Sequence, residues 1–212
     1  DAATQGRSYA DSMAAMVSNI IGQVQSDEST QTLMQEREIR NRGLVLITPD
    51  RGLTGGLNAN LIRAASDFIN AGESTVKVIA VGKKGLDFSR RNNLEILDEL
   101  TGLTDRPIPN DTRNVSDCMV NLFKEAAVDS FHIVYAEFVN TTVQRTIVSQ
   151  IVPVVVEEDG SGRSGPGYIY EPTADEVLSA LLPRYIQTLV HHAVLEGNAS
   201  EQSARMVAMN QA

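Results

Sequence analysis

A chain of 212 residues with 42% hydrophobic content can bury a real core, and its length suits one domain plus an appendage. The formal charge of −9 argues against nucleic acid as the main partner, because phosphate binding needs a clustered basic surface, and it does not suit an anionic membrane. No apolar run approaches the roughly 20 residues that span a bilayer, no charged-then-apolar leader opens the chain, and a single cysteine, Cys118, excludes an internal disulfide framework or a site built on several thiolates.

The first expected element is a helix. Its apolar positions run Tyr9, Met13, Met16, Ile20 and Val24, a three-four spacing that lays one stripe along its surface. Residues 25–42 are polar and read as a connection, with one short helical stretch around Leu33 to Ile39. Leu44-Val45-Leu46-Ile47, bounded by Gly43 and Pro49, is the continuous apolar run of a strand buried on both faces. A glycine-rich turn, Asp50 to Gly56, leads into a helix over Asn58 to Asn70. The plan repeats with a strand at Val76 to Val81, a turn at Gly82-Lys83-Lys84-Gly85, a short helix at Leu86 to Arg91 and a third strand at Leu94 to Leu97. Thr101 to Asp111 is loop, and Asn114 is expected to cap a helix running to Ala127. Phe131 to Phe138 and Thr142 to Val155, joined by Val139-Asn140-Thr141, form an antiparallel hairpin at a sheet edge. Glu157 to Gly167, rich in glycine, reads as a linker.

The final helix opens on a capping box, Thr173 with Glu176. Its apolar pairs recur every four residues from Val177/Leu178 to Ala193/Val194, so the stripe winds about 40° per step and calls for a coiled partner or two partners. Pro183 should kink this helix, and Gly197 to Glu201 is a candidate break. Both terminal stripes can be buried against each other as an antiparallel pair, leaving the residues beyond Gly197 overhanging. The expected fold is therefore α/β: a Rossmann-like, mostly parallel sheet body at 43–156, a linker and loop at 157–172, and an antiparallel coiled coil of the terminal helices at 1–24 and 173–212.

Chemistry is sparse. The loop Asp50 to Asn58, between a buried strand and a helix, is where an open α/β sheet would take a phosphate, which keeps a nucleotide-binding enzyme of doubly wound fold as the alternative. No Gly-Lys-Ser/Thr ending follows it, and the glycines equally serve a tight turn. His191 and His192 are adjacent on a helix and point apart, His132 has no companion, and Glu157, Glu158 and Asp159 read as a solvated run. Cys118, among Val115, Met119 and Leu122, reads as a buried small residue. Arg51, Lys83 and Lys84 at neighbouring strand ends form either a basic patch or ordinary solvated charge. Tyr168-Ile169-Tyr170-Glu171-Pro172 offers interface aromatics or a staple for the last helix.

Asp50-Arg51-Gly52-Leu53-Thr54-Gly55-Gly56-Leu57-Asn58, Val81 to Gly85, Phe138 to Thr141, Tyr168 to Pro172 and Ala199-Ser200-Glu201-Gln202-Ser203-Ala204-Arg205-Met206-Val207-Ala208-Met209 resemble, in order, the gamma subunits of rotary ATP synthases. The double glycine after Thr54 and the lack of an inserted cysteine-bearing segment resemble the bacterial form rather than the chloroplast one. The resemblance implies a rotor whose terminal helices stand inside a ring of alpha and beta subunits, with its body on the membrane c-ring beside the epsilon subunit, at the cytoplasmic face of the bacterial plasma membrane. It implies no catalytic site, cofactor or metal in this chain. By position, Arg51, Lys83, Lys84 and Arg205 would meet the acidic levers of beta, and Tyr168, Tyr170 and Glu171 would face the c-ring. Set against the family, the chain is expected to lack the start of the first helix and the end of the last.

Overall fold

β1 (Asn41–Ile47) is the centre of a five-stranded sheet, and every residue after Asn41 is buried, as its unbroken apolar run requires. β2 (Thr75–Val81) and β4 (Ser130–Phe138) flank it in parallel, β3 (Glu95–Leu100) lies parallel outside β2, and β5 (Gln144–Val152) runs antiparallel outside β4, giving the order β3-β2-β1-β4-β5. The computed structural model describes residues 2–22, 24, 32–155, 171 and 173–211. The parallel sheet and its antiparallel edge hairpin are as expected.

Alternation along β1 divides the core into two layers. Leu44 and Leu46 face α2 (Leu57–Asn70) and α3 (Lys83–Arg91), meeting Leu57, Leu61 and Leu86. Val45 and Ile47 face α4 (Arg113–Lys124) and the long α5 (Ala174–Asn210), meeting Met119, Phe123, Leu182 and Ile186. α1 (Ala2–Ile21) lies against α5 and adds Val17 and Ile20 to this second layer. Two arginines close helix ends: Arg42 donates to Phe68 O at 2.9 Å at the end of α2, and Arg37 donates to Phe123 O at 2.6 Å at the end of α4.

Several expectations change. α3 starts at Lys83, inside the stretch read as a turn, because Gly82 holds φ 95° and turns the chain directly into the helix. α4 starts at Arg113 after Thr112, so Asn114 is not its cap. Leu33 to Ile39 contains only a 3-10 turn at Thr32–Met34. α5 is one helix of 37 residues with Pro183 inside it and no break at Gly197. Thr173 Oγ1 accepts the Glu176 N–H at 3.2 Å, the expected cap.

Candidate functional site: the shaft joint and the basic rim

The two terminal helices run antiparallel. A Cβ on Gly6 would sit 3.1 Å from Leu195 Cδ1, while Asp11 acts electrostatically on Tyr185, further back along α5. The buried face of α1 shares Met13, Ile20 and Val24 with the stripe read from sequence but not Tyr9 or Met16. Tyr9 is 60% and Met16 50% exposed, whereas Ala3, Ala10, Met13, Val17 and Ile20 are buried. With Gly6 and Val24 these residues form a strict alternation of threes and fours, the seam of a coiled coil. On α5 the second member of each pair is buried, Leu178, Leu182, Ile186, Val190 and Val194, joined in the last pair by Ala193. The winding stripe is shared between α1 and the sheet face of the body, the two-partner solution.

Residues past Gly197 do not overhang. Ser200 is fully buried, and Ala204 joins the cluster of Leu44, Leu57 and Leu86 on the opposite layer. α5 therefore passes over the carboxyl end of β1 from one face of the sheet to the other. Gly197 lies at the crossing, where a Cβ would come 3.2 Å from Ile47 Cγ2, so this glycine permits close approach rather than breaking the helix. Beside it, Glu196 is a wholly buried carboxylate: Oε1 accepts from Arg7 at 2.7 Å and Oε2 from the Phe138 N–H at 2.7 Å. This group was missed in the sequence, where it stands in an otherwise apolar helical stretch.

At the same end of the sheet, Thr48 holds three elements together. Its Oγ1 accepts the Gly85 N–H at 2.7 Å and donates to Val81 O at 3.3 Å, and a Cβ on Gly82 would fall 1.8 Å from Thr48 O. Asp50 accepts the Lys83 N–H at 2.8 Å and the Gly102 N–H at 2.7 Å. These bonds bring the Arg51 loop beside the start of α3, so Arg51 and Lys83 are exposed and Lys84 half-buried along one rim. Arg205, next to the buried Ala204, belongs to the same end of the molecule and pairs with Glu201 one turn away. Glu171 is exposed just before α5, and Tyr168 and Tyr170 lie outside the described residues.

The start of α3 is poorly suited to phosphate. Asp50 already occupies the amide at the start of α3, placing a negative charge where an anion would have to sit. The histidines have separate partners: His191 Nδ1 is 3.4 Å from Thr112 Oγ1, His192 Nε2 is 3.7 Å from Glu196, and the His132 ring lies tilted against Phe68 with centroids 4.9 Å apart. Burial holds all three below the ordinary imidazole range, and burial raises the Cys118 thiol. Among the described residues no group of three metal-ligating side chains occurs, and no helix is long and apolar enough to cross a membrane.

A parallel α/β body threaded by an antiparallel pair of terminal helices defines a body-and-shaft protein. Residues 1–212 match the ATP synthase family. Among curated relatives, the ATP synthase gamma chain of Dehalococcoides mccartyi is 39% identical over 98% of this chain and 72% of its own length, and that of Chloroflexus aurantiacus is 40% identical over 97% and 72%. Among solved structures, a central stalk/c-ring chain of the Tetrahymena thermophila mitochondrial ATP synthase covers 100% of this chain and 99% of its own, with TM-score 0.64 and 17% identity. A chain from the Euglena gracilis mitochondrial ATP synthase rotor covers 99% of this chain and 84% of its own, with TM-score 0.54 and 18% identity. The chain belongs to the ATP synthase gamma-chain family.

Proposed function

We propose that this chain is the central-stalk rotor subunit of an ATP synthase, coupling transmembrane proton flow to ATP synthesis and hydrolysis by rotation, and itself non-catalytic. The observation that carries the reading is the joint at Glu196: a shaft of two antiparallel helices is fixed to a compact body at a buried, charged contact, the construction a part needs if it is to turn as one piece. The partners are the alpha and beta subunits, the epsilon subunit and the membrane c-ring, with the whole at the cytoplasmic face of the bacterial plasma membrane. Arg51, Lys83, Lys84 and Arg205 meet acidic segments of beta in turn; such exposed pairs are individually weak and remake easily. Glu171, with Tyr168 and Tyr170, contacts the c-ring. Tagged chain expressed with the other subunits should co-purify with alpha, beta and epsilon and should bind no ATP when isolated. Tight ATP binding by the isolated chain without those partners would overturn the proposal in favour of a nucleotide-binding enzyme.

A further inference from the structure

β4 outruns its neighbour. β1 pairs with β4 from Arg42 opposite Ser130 to Leu46 opposite Val134 and no further, whereas β4 continues to Phe138. Backbone groups on that side of β4 past Val134 have no strand to bond, and buried backbone groups need partners. α5 supplies them. Glu196 Oε2 accepts the Phe138 N–H at 2.7 Å, and one turn later Ser200 Oγ donates to Ala136 O at 3.0 Å. Gly197, between them, rests against Ile47, the last residue of β1. One turn of helix thus stands in for the missing continuation of β1. The remaining carboxylate oxygen of Glu196 ties in α1 through Arg7, whose guanidinium also reaches Phe138 O at 3.4 Å.

We infer that Glu196 and Ser200 are the positioning residues that lock the shaft to the body against twisting, an inference that rests on the rotor reading. Apolar packing along α5 is non-directional and resists rotation of the helix about its axis weakly. Directional bonds resist it, most of all charge-assisted ones shielded from water. Of the other side-chain contacts from α5 to the body among the described residues, Gln187 to Pro109 O at 3.5 Å and Asn198 to Thr104 O at 3.2 Å are exposed, and His191 Nδ1 to Thr112 Oγ1 at 3.4 Å is long and uncharged, whereas Glu196 and Ser200 are 0% exposed. Torque passing between body and shaft therefore runs through these two side chains and Arg7.

The test uses the assembled ATP synthase in inverted vesicles, carrying Glu196→Ala. ATP hydrolysis should continue while proton pumping per ATP hydrolysed falls several-fold. With Cys118→Ala and spin labels at Met206→Cys and Arg63→Cys, both exposed sites on shaft and body, the measured distance distribution should broaden. Ser200→Ala should act in the same direction and more weakly. A role limited to fold stability would lower the melting temperature and leave the distribution narrow. An unchanged pumping ratio with an unchanged distribution overturns the inference. Should Glu196→Ala fail to assemble, Arg7→Met removes the clamp from its 46% exposed side, and an unchanged ratio in that variant overturns the inference equally. Absence of ATP-driven pumping in the unaltered complex would instead refute the rotor reading itself.

Discussion

Two glycines in similar-looking loops have opposite tolerances. Gly82, at φ 95° with Thr48 O only 1.8 Å from any added Cβ, has no room for a side chain. Gly52 has open space around it. Gly82→Ala should cost about 3 kcal/mol or more, since strain and backbone clash combine, while Gly52→Ala should stay within about 0.5 kcal/mol. Urea denaturation of the two variants checks this, and equal losses would contradict the tight joint. Histidines set a second expectation at this scale. His132, His191 and His192 all have folded pKa values below the ordinary 6.5, burial being the first cause in each, and His132 is lowered further by Arg42. The unfolded chain therefore takes up more protons as acid is added. Their contribution to stability is complete above pH 6.5 and is lost as pH falls through the folded values. The urea midpoint should drop between pH 7 and about pH 5; a midpoint that rises over this window would contradict their burial as neutral rings.

Among the elements, α5 behaves differently along its length. Amide exchange should be slow from Leu178 through Ala204, where one side chain or another is buried in every turn, and fast from Met206 to Gln211, where Met206 is 49% and Met209 61% exposed. Rapid exchange at Ser200 would contradict the crossing. The body of this fold was legible because its signals are local. A strand buried on both faces must be continuously apolar, so β1 stood out at Leu44 to Ile47, and the edge hairpin showed itself through its short turn at Asn140. The seam of α1 was obscured because its first three positions are small: Ala3, Gly6 and Ala10 carry weak apolar signals beside the exposed Tyr9 and Met16. Gly197 reads as an interruption because glycine usually breaks a helix, whereas here its missing side chain allows the close approach to Ile47 within an unbroken helix. Of the candidate site, the cations Arg51, Lys83 and Lys84 were visible as strand-end residues. Glu196 was not, since its partners Arg7 and Phe138 are distant in sequence and burial of a carboxylate is defined only by them.

For the whole molecule, surface charge and stability separate. Replacing Arg51, Lys83 and Lys84 with alanine should leave the melting transition nearly unchanged, because Arg51 and Lys83 are exposed and Lys84 is only half-buried, and should reduce ATP-driven torque in the assembled complex. Equal torque with and without the three charges would remove their contact role. The joint between α1 and α5 carries a consequence of another kind. Arg7 and Glu196 are 189 positions apart, so α1 leaves the ribosome long before the partner that closes its seam. Until then the small and apolar seam of α1 is open, and closing so long an intervening chain is entropically slow unless the body has already condensed and brought the ends near. The α/β body thus acts as a template for its own shaft: ribosomal release of α5, rather than the intrinsic helicity of α1, times the moment at which the seam is shielded from wrong partners.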